Sequence, residues 1–254
     1  MSSSSADGSL RERYGRQCRV LGHGTGGTVR VFRRSLATRP RLYAVKEFRK
    51  RNNSEDQRQY VKRLTAEYCI ASTLHHENII ETLDIVFEHN RAHVIMDYCP
   101  HDLFQLLTAR RPAPISDKTI DCYFSQLLQG VSYLHEAGIA HLDLKLENCV
   151  VSPNGILKII DFGCAEVVRA PWETQTRLCR EIRGSRPYIA PEVFLQTSYD
   201  GQRADAWAIG IMYIGMIERH YPWRVARTNA DDIFRYYLEL RSTARMAAPP
   251  HRAS

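Results

Sequence analysis

Two loops joined by a short hairpin constrain this chain more than any other feature. The run His141-Leu142-Asp143-Leu144-Lys145-Leu146-Glu147-Asn148 sets an acid, a lysine and a carboxamide close together, and Asp161-Phe162-Gly163 adds a second acid. Between the loops, Cys149–Ser152 and Leu157–Ile160 read as strands, with Asn154-Gly155 as the turn signal. So short a hairpin makes the two loops one compact pair. Two carboxylates and a carboxamide need no such spacing merely to cap turns.

The 254 residues suffice for one large domain or for two lobes sharing a cleft. Residues 19–48 alternate as short strands around a glycine-rich turn, with a second break near Ala37–Arg41. Residues 58–74 read as a helix whose apolar face runs through Val61, Leu64, Cys69 and Ile70, and strand-like runs follow at Thr82–Glu88 and Ala92–Met96. That order predicts a small antiparallel sheet packed on one helix. Beyond Asp97–Pro100 the pattern turns helical, at Leu103–Ala109, Asp117–Glu136, Pro191–Leu195 and Arg203–Glu218. The expected division is a flexible tail over residues 1–13, a small lobe over 14–96, a hinge over 97–100 and a large lobe over 101–254.

With 44% hydrophobic and 25% charged residues, the chain reads as globular. Its seven cysteines are odd in number, form no close metal-binding pairs and follow no signal-peptide pattern, so free thiols in a reducing compartment are expected. Residues 1–65 hold 16 Lys/Arg against 5 Asp/Glu, whereas the rest holds 19 against 23. A basic half of this kind attracts nucleic acid, phospholipid or acidic proteins. Its charges are scattered, however, and no zinc-finger spacing or glycine-aromatic RNA-binding signature accompanies them. An ordinary solvated basic face is the reading, with no dedicated nucleic-acid partner. The longest apolar run, Trp207–Ile217, has eleven residues, too few for a bilayer, so no transmembrane segment is expected.

Gly22-His23-Gly24-Thr25-Gly26-Gly27-Thr28-Val29 has the spacing Gly-x-Gly-x-x-Gly-x-Val, in which Gly22, Gly24 and Gly27 let backbone amides approach a polyphosphate. Alone it is also a plain glycine turn. No β-α-β pattern follows, which counts against a dinucleotide fold. In Ala44-Val45-Lys46 a strand lysine is either a surface charge or a contact to nucleotide phosphates. Glu67, on the expected helix, is placed to pair with it and hold its ammonium.

Together these motifs resemble a eukaryotic protein kinase over roughly residues 15–225. The resemblance implies an α+β bilobal fold: a small antiparallel-sheet lobe with one helix, and a mainly helical large lobe. It implies ATP and Mg2+ as cofactors and serine or threonine in proteins as substrate. In that family's pattern Asp143 orients the substrate hydroxyl, Lys145 steadies the transferring phosphoryl group, and Asn148 and Asp161 hold magnesium. Lys46 and Glu67 complete the catalytic set. Met96 is the gatekeeper and Asp97 and Cys99 supply hinge backbone to adenine, with Val29, Ala44 and Val150 as apolar contacts. Ser185, in Gly184–Glu192, matches a hydroxyl that bonds the catalytic aspartate and lysine. Asp205 matches an anchor of the catalytic-loop backbone.

Connecting segments, among them Thr65–Ile70, Thr73–Asp84 and Ala140–Asp161, are similar to those of fungal halotolerance and nutrient-permease-reactivating serine/threonine kinases. That likeness implies a cytoplasmic enzyme indirectly linked to plasma-membrane ion or nutrient transporters. The alternative is a nucleotide-binding pseudokinase scaffold. In this family the large lobe continues well beyond Pro222-Trp223 through three helices, whereas 31 residues follow here. An abbreviated lobe is therefore expected, with Arg241 or Arg245 as the available partners of Glu192.

Leu142 stands where most such loops carry arginine. An arginine there can be neutralised by a phosphorylated activation segment; leucine makes no charge-assisted contact. Alanine at both Thr174 and Thr176 is therefore expected to leave peptide phosphorylation nearly unchanged. A large loss of turnover in that double variant would refute the reading.

Overall fold

The computed structural model describes residues 9–24, 26–35, 39–49, 56–88, 91–109 and 115–247. Thr25, Ala37 and Thr38 of the break expected near Ala37–Arg41, and the first eight residues of the expected tail lie outside them. Along the chain come α1 (Leu10–Tyr14), β1 (Arg16–Gly24), β2 (Gly27–Arg34), β3 (Arg41–Phe48), α2 (Gln57–Thr73), β4 (Thr82–Glu88), β5 (Arg91–Asp97) and β6 (His101–Asp102). Then follow α3 (Leu103–Thr108), α4 (Asp117–Glu136), β7 (Ile139–Ala140), β8 (Cys149–Val151), β9 (Leu157–Ile159), β10 (Glu166–Val167), α5 (Pro191–Leu195), α6 (Gly201–Glu218) and α7 (Asp232–Ala247). The chain forms two compact units: residues 1–103 with 147–163, and residues 104–146 with 164–254.

The first unit is built on an antiparallel sheet of order β1-β2-β3-β5-β4. Its central strand β3 buries Tyr43, Ala44, Val45 and Lys46 in succession, which a strand covered on both faces requires. One face holds Phe32, Tyr43, Val45, Val86 and Ile95 around Leu10 of α1. Residues 9–13, read from sequence as tail, thus carry a helix instead. Ser9 and Glu12 close it with a capping box, and Arg13 and Tyr14 both bond Asp84. Burial, then the hydrogen bond to Asp84, pushes the Tyr14 hydroxyl up to about 12.

The β8–β9 hairpin groups with this unit, although the sequence places it in the large lobe. The reason is backbone pairing. Asn78 O accepts from Ile159 N at 2.8 Å, Ile159 O accepts from Ile80 N at 3.0 Å, and Asn78 Nδ2 donates to Leu157 O at 3.0 Å.

The second unit is mainly helical. Ser116 caps α4, whose buried stripe Ile120, Leu127, Val131, Leu134 follows the helical repeat. Each of these side chains is at most 2% exposed and contributes about 1.5–3 kcal/mol over leaving it in water. Asp200 caps α6, accepting from Gln202 N and Arg203 N. This helix buries Ala204, Asp205, Ala208, Ile211, Met212 and Met216 on one side, leaves Arg203, Ala206, Gly210, Tyr213 and Ile217 as an exposed stripe, and packs on α4. Trp223, Phe234 and Tyr237 cluster where α7 begins, with Trp223 and Phe234 edge to face. No helix among the described residues is long and apolar enough to cross a membrane.

Candidate active site

Within the first unit a cleft of about 800 Å³, counting its open mouth, lies against β3 and β5. Val29, Ala44, Lys46, Glu67, Met96, Asp97, Cys99, Val150 and Asp161 all line it. Strand register explains the grouping. Val29 pairs with Lys46, Ala44 with Met96, and side chains at alternate positions share one face. Burial pushes the Cys99 thiol up to about 11, so it serves as an apolar wall. Leu21, Tyr68 and Thr82 line the cleft as well, and sequence reasoning missed them. Leu21 sits one residue before the glycine run; Tyr68 and Thr82 lie in segments read for family likeness and not for contact with a ligand.

Gly22, Gly24 and Gly27 lie in the β1–β2 hairpin, where Gly22 pairs with Val29 and Gly24 with Gly27. A Cβ at Gly22 would meet open space, whereas Gly27 is required by its backbone. Its φ is 150°, and a Cβ there would meet Glu47 O at 2.0 Å.

Lys46 Nζ lies 2.5 Å from Glu67 Oε1 and 2.9 Å from Asp161 Oδ1. Burial pulls the ammonium's pKa down, but the two carboxylates outweigh it and hold it above the usual lysine value. Lys46 therefore stays charged inside the cleft. Asp161 is left-handed, with φ 66°, and its side chain is 41% exposed despite the bond to Lys46. Phe162 beside it is buried. Asn148, 5% exposed, reaches the same neighbourhood through its backbone, for its carbonyl accepts from Ile160 N at 2.9 Å.

In the second unit Asp143, Lys145 and Ser185 close a triangle. Lys145 Nζ donates to Asp143 Oδ2 at 2.8 Å and to Ser185 Oγ at 2.9 Å, while Ser185 Oγ donates to Asp143 Oδ1 at 2.9 Å. The carboxylate is fixed through both oxygens. Asp205, 1% exposed, accepts from the backbone amides of His141 and Leu142, each at 2.8 Å. His141 is fully buried and accepts from Asp143 N through Nδ1, a structural use rather than acid–base work.

A family model described as the protein kinase domain matches residues 16–252. The chain belongs to the protein kinase domain family. It is 44% identical over 236 residues to the probable serine/threonine-protein kinase RTK1 of Saccharomyces cerevisiae, covering 91% of this chain and 37% of that protein. It is 42% identical over 226 residues to the nitrogen permease reactivator protein of the same yeast, covering 89% of this chain and 28% of that one. A third relative there, serine/threonine-protein kinase HAL4/SAT4, is 40% identical over 236 residues, with 90% and 38% covered. The chain thus spans only about a third of the length of these curated relatives. Protein kinase domains use ATP with magnesium.

Position 142 carries no charge, and its surroundings are apolar. Leu142 is 7% exposed and packs with Val168, Cys179, Ile189 and Tyr199. Cys179 and Tyr199 exchange backbone hydrogen bonds at 2.8 and 2.9 Å. Arg183 bonds Cys164 O, Glu166 and Glu181. Thr174 and Thr176 stay exposed. Among the described residues Glu192 makes no ion pair, since Arg241 lies over the Tyr237 ring; the side chain of Arg245 falls outside the description.

Proposed function

We propose that this chain is an ATP-dependent serine/threonine protein kinase. The observation that carries the reading is the Asp143–Lys145–Ser185 triangle, because it holds a carboxylate by two donors without burying it. Asp143 orients the attacking hydroxyl and takes its proton as oxygen bonds to the γ-phosphorus; the bond from that phosphorus to the β–γ bridging oxygen breaks and ADP leaves. Lys145 would neutralise charge on the transferring group. ATP would occupy the cleft of the first unit, its adenine against Ala44, Met96 and Val150 and its hinge contacts at Asp97 and Cys99.

A magnesium ion suits the donor set of Asn148 and Asp161. One carboxylate and one carboxamide leave most positions to water and phosphate oxygens, as magnesium prefers. The half-exposed Asp161 carboxylate fits that use. Bound there, the ion would offset charge on the phosphate oxygens. A link to permease regulation is part of the same proposal, on the strength of the nitrogen permease reactivator relative, and a cytoplasmic location would accompany it.

The test is transfer of labelled γ-phosphate from Mg-ATP to mixed serine and threonine peptides, with chelated magnesium as control. Nucleotide binding without transfer would favour a scaffold and overturn the proposal. Lys46→Met should weaken Mg-ATP binding by about 10- to 100-fold, the worth of a charged hydrogen-bond pair to phosphate. Titration calorimetry measures it, and an unchanged dissociation constant would remove Lys46 from the nucleotide site.

A further inference from the structure

The turn that carries Ser185 carries a cation with no work inside the protein. Arg186 follows Ser185 directly and is exposed, and among the described residues it has no ion pair, hydrogen bond or ring partner. Arg180, five residues before Ser185, is exposed and without a partner among the described residues as well, but the other two arginines of the segment differ. Arg177 is engaged by Glu173, and Arg183 by Glu166 and Glu181.

The backbone under Arg186 is fixed from both sides. Ser185 Oγ is tied to Asp143 and Lys145, Pro187 O accepts from Trp223 Nε1 at 3.3 Å, and Tyr188 N bonds Ser185 O at 2.9 Å. Tyr188 is buried, with its hydroxyl bonded to Tyr221. The guanidinium therefore projects from a rigid turn, one residue from a group that touches the Asp143 carboxylate.

An acceptor hydroxyl has to come within about 3 Å of Asp143 to be deprotonated. Its chain neighbour then lies about 3.8 Å further along, Cα to Cα, within the reach of an arginine side chain at the next position of the turn. We propose that Arg186 selects substrates with an acidic residue adjacent to the phosphoacceptor serine or threonine. The inference rests on the kinase reading and extends it to substrate class. Arginine suits the task because its planar fork takes a carboxylate by two parallel hydrogen bonds. The site is exposed, so the discrimination is modest and declines with added salt.

The experiment compares kcat/KM for serine peptides identical except for the residue beside the acceptor, which is Asp, Ala or Arg, tried on either side. The wild type should favour Asp over Ala by about five- to tenfold on one side and disfavour Arg. Arg186→Glu should reverse that order, and Arg186→Gln should flatten it. Each result is a ratio within one enzyme, so a reduced folded fraction cancels. Equal use of the three peptides by the wild type, or an order unchanged by Arg186→Glu, overturns the inference while leaving the kinase reading intact. No transfer to any peptide overturns both.

Discussion

Replacing Asp143 with asparagine should lower phosphoryl transfer by about two to four orders of magnitude, the usual worth of a positioned general base. Asparagine is nearly isosteric, so its oxygen can still accept from Ser185 Oγ, as Asp143 Oδ1 does at 2.9 Å. Its amide nitrogen would then face Lys145 Nζ, where Oδ2 now accepts at 2.8 Å. Two donors would oppose each other, and no carboxylate would remain to take the hydroxyl proton. Nucleotide affinity should hold, because the residues lining the nucleotide cleft all belong to the first unit and Asp143 does not. Single-turnover transfer from labelled ATP, alongside a nucleotide titration, separates the two quantities. Robust labelling by the variant would refute the role given to Asp143.

The strand–strand–strand–helix–strand–strand order of the first unit was legible because β-period alternation and one amphipathic helix leave few topologies. Lys46 and Glu67 could be paired across 21 residues for the same reason, since a strand and a helix each fix the face their residue takes. Short elements were harder. Helix α1 has five residues and one buried apolar side chain, too little for periodicity to register. Its signal is chemical: Ser9-Leu10-Arg11-Glu12 spells a capping box, which marks a helix start even where no apolar repeat follows. Helix α7 was missed because arginines interrupt its apolar pattern, although Phe234 is 1% exposed and Asp231 accepts from the amides of Ile233 and Phe234. The hairpin at 149–159 was found, but its contacts group it with the first unit. What attaches it is main-chain hydrogen bonding from Asn78 and Ile80, which side-chain patterns do not encode.

Removing the Asp205 carboxylate should be the most damaging single change to the second unit. Leu142 is held at φ 62°, a left-handed conformation that costs a non-glycine residue about 1–2 kcal/mol. It persists because Asp205 Oδ1 accepts from Leu142 N and Oδ2 from His141 N, with His135 Nε2 a further 2.9 Å partner. Asp205→Ala would strand two buried amides and release the turn that aims Asp143. At about 1–3 kcal/mol for each unsatisfied donor, the loss should total about 3–5 kcal/mol. For a chain of this size that lowers Tm on the order of 10 °C. Asp205→Asn keeps one acceptor and should lose about half as much. Thermal unfolding of the three proteins measures the series. A Tm for Asp205→Ala within about 2 °C of the wild type would mean that Leu142 holds its backbone without the carboxylate, and that packing against Val168 and Ile189 sets the loop instead.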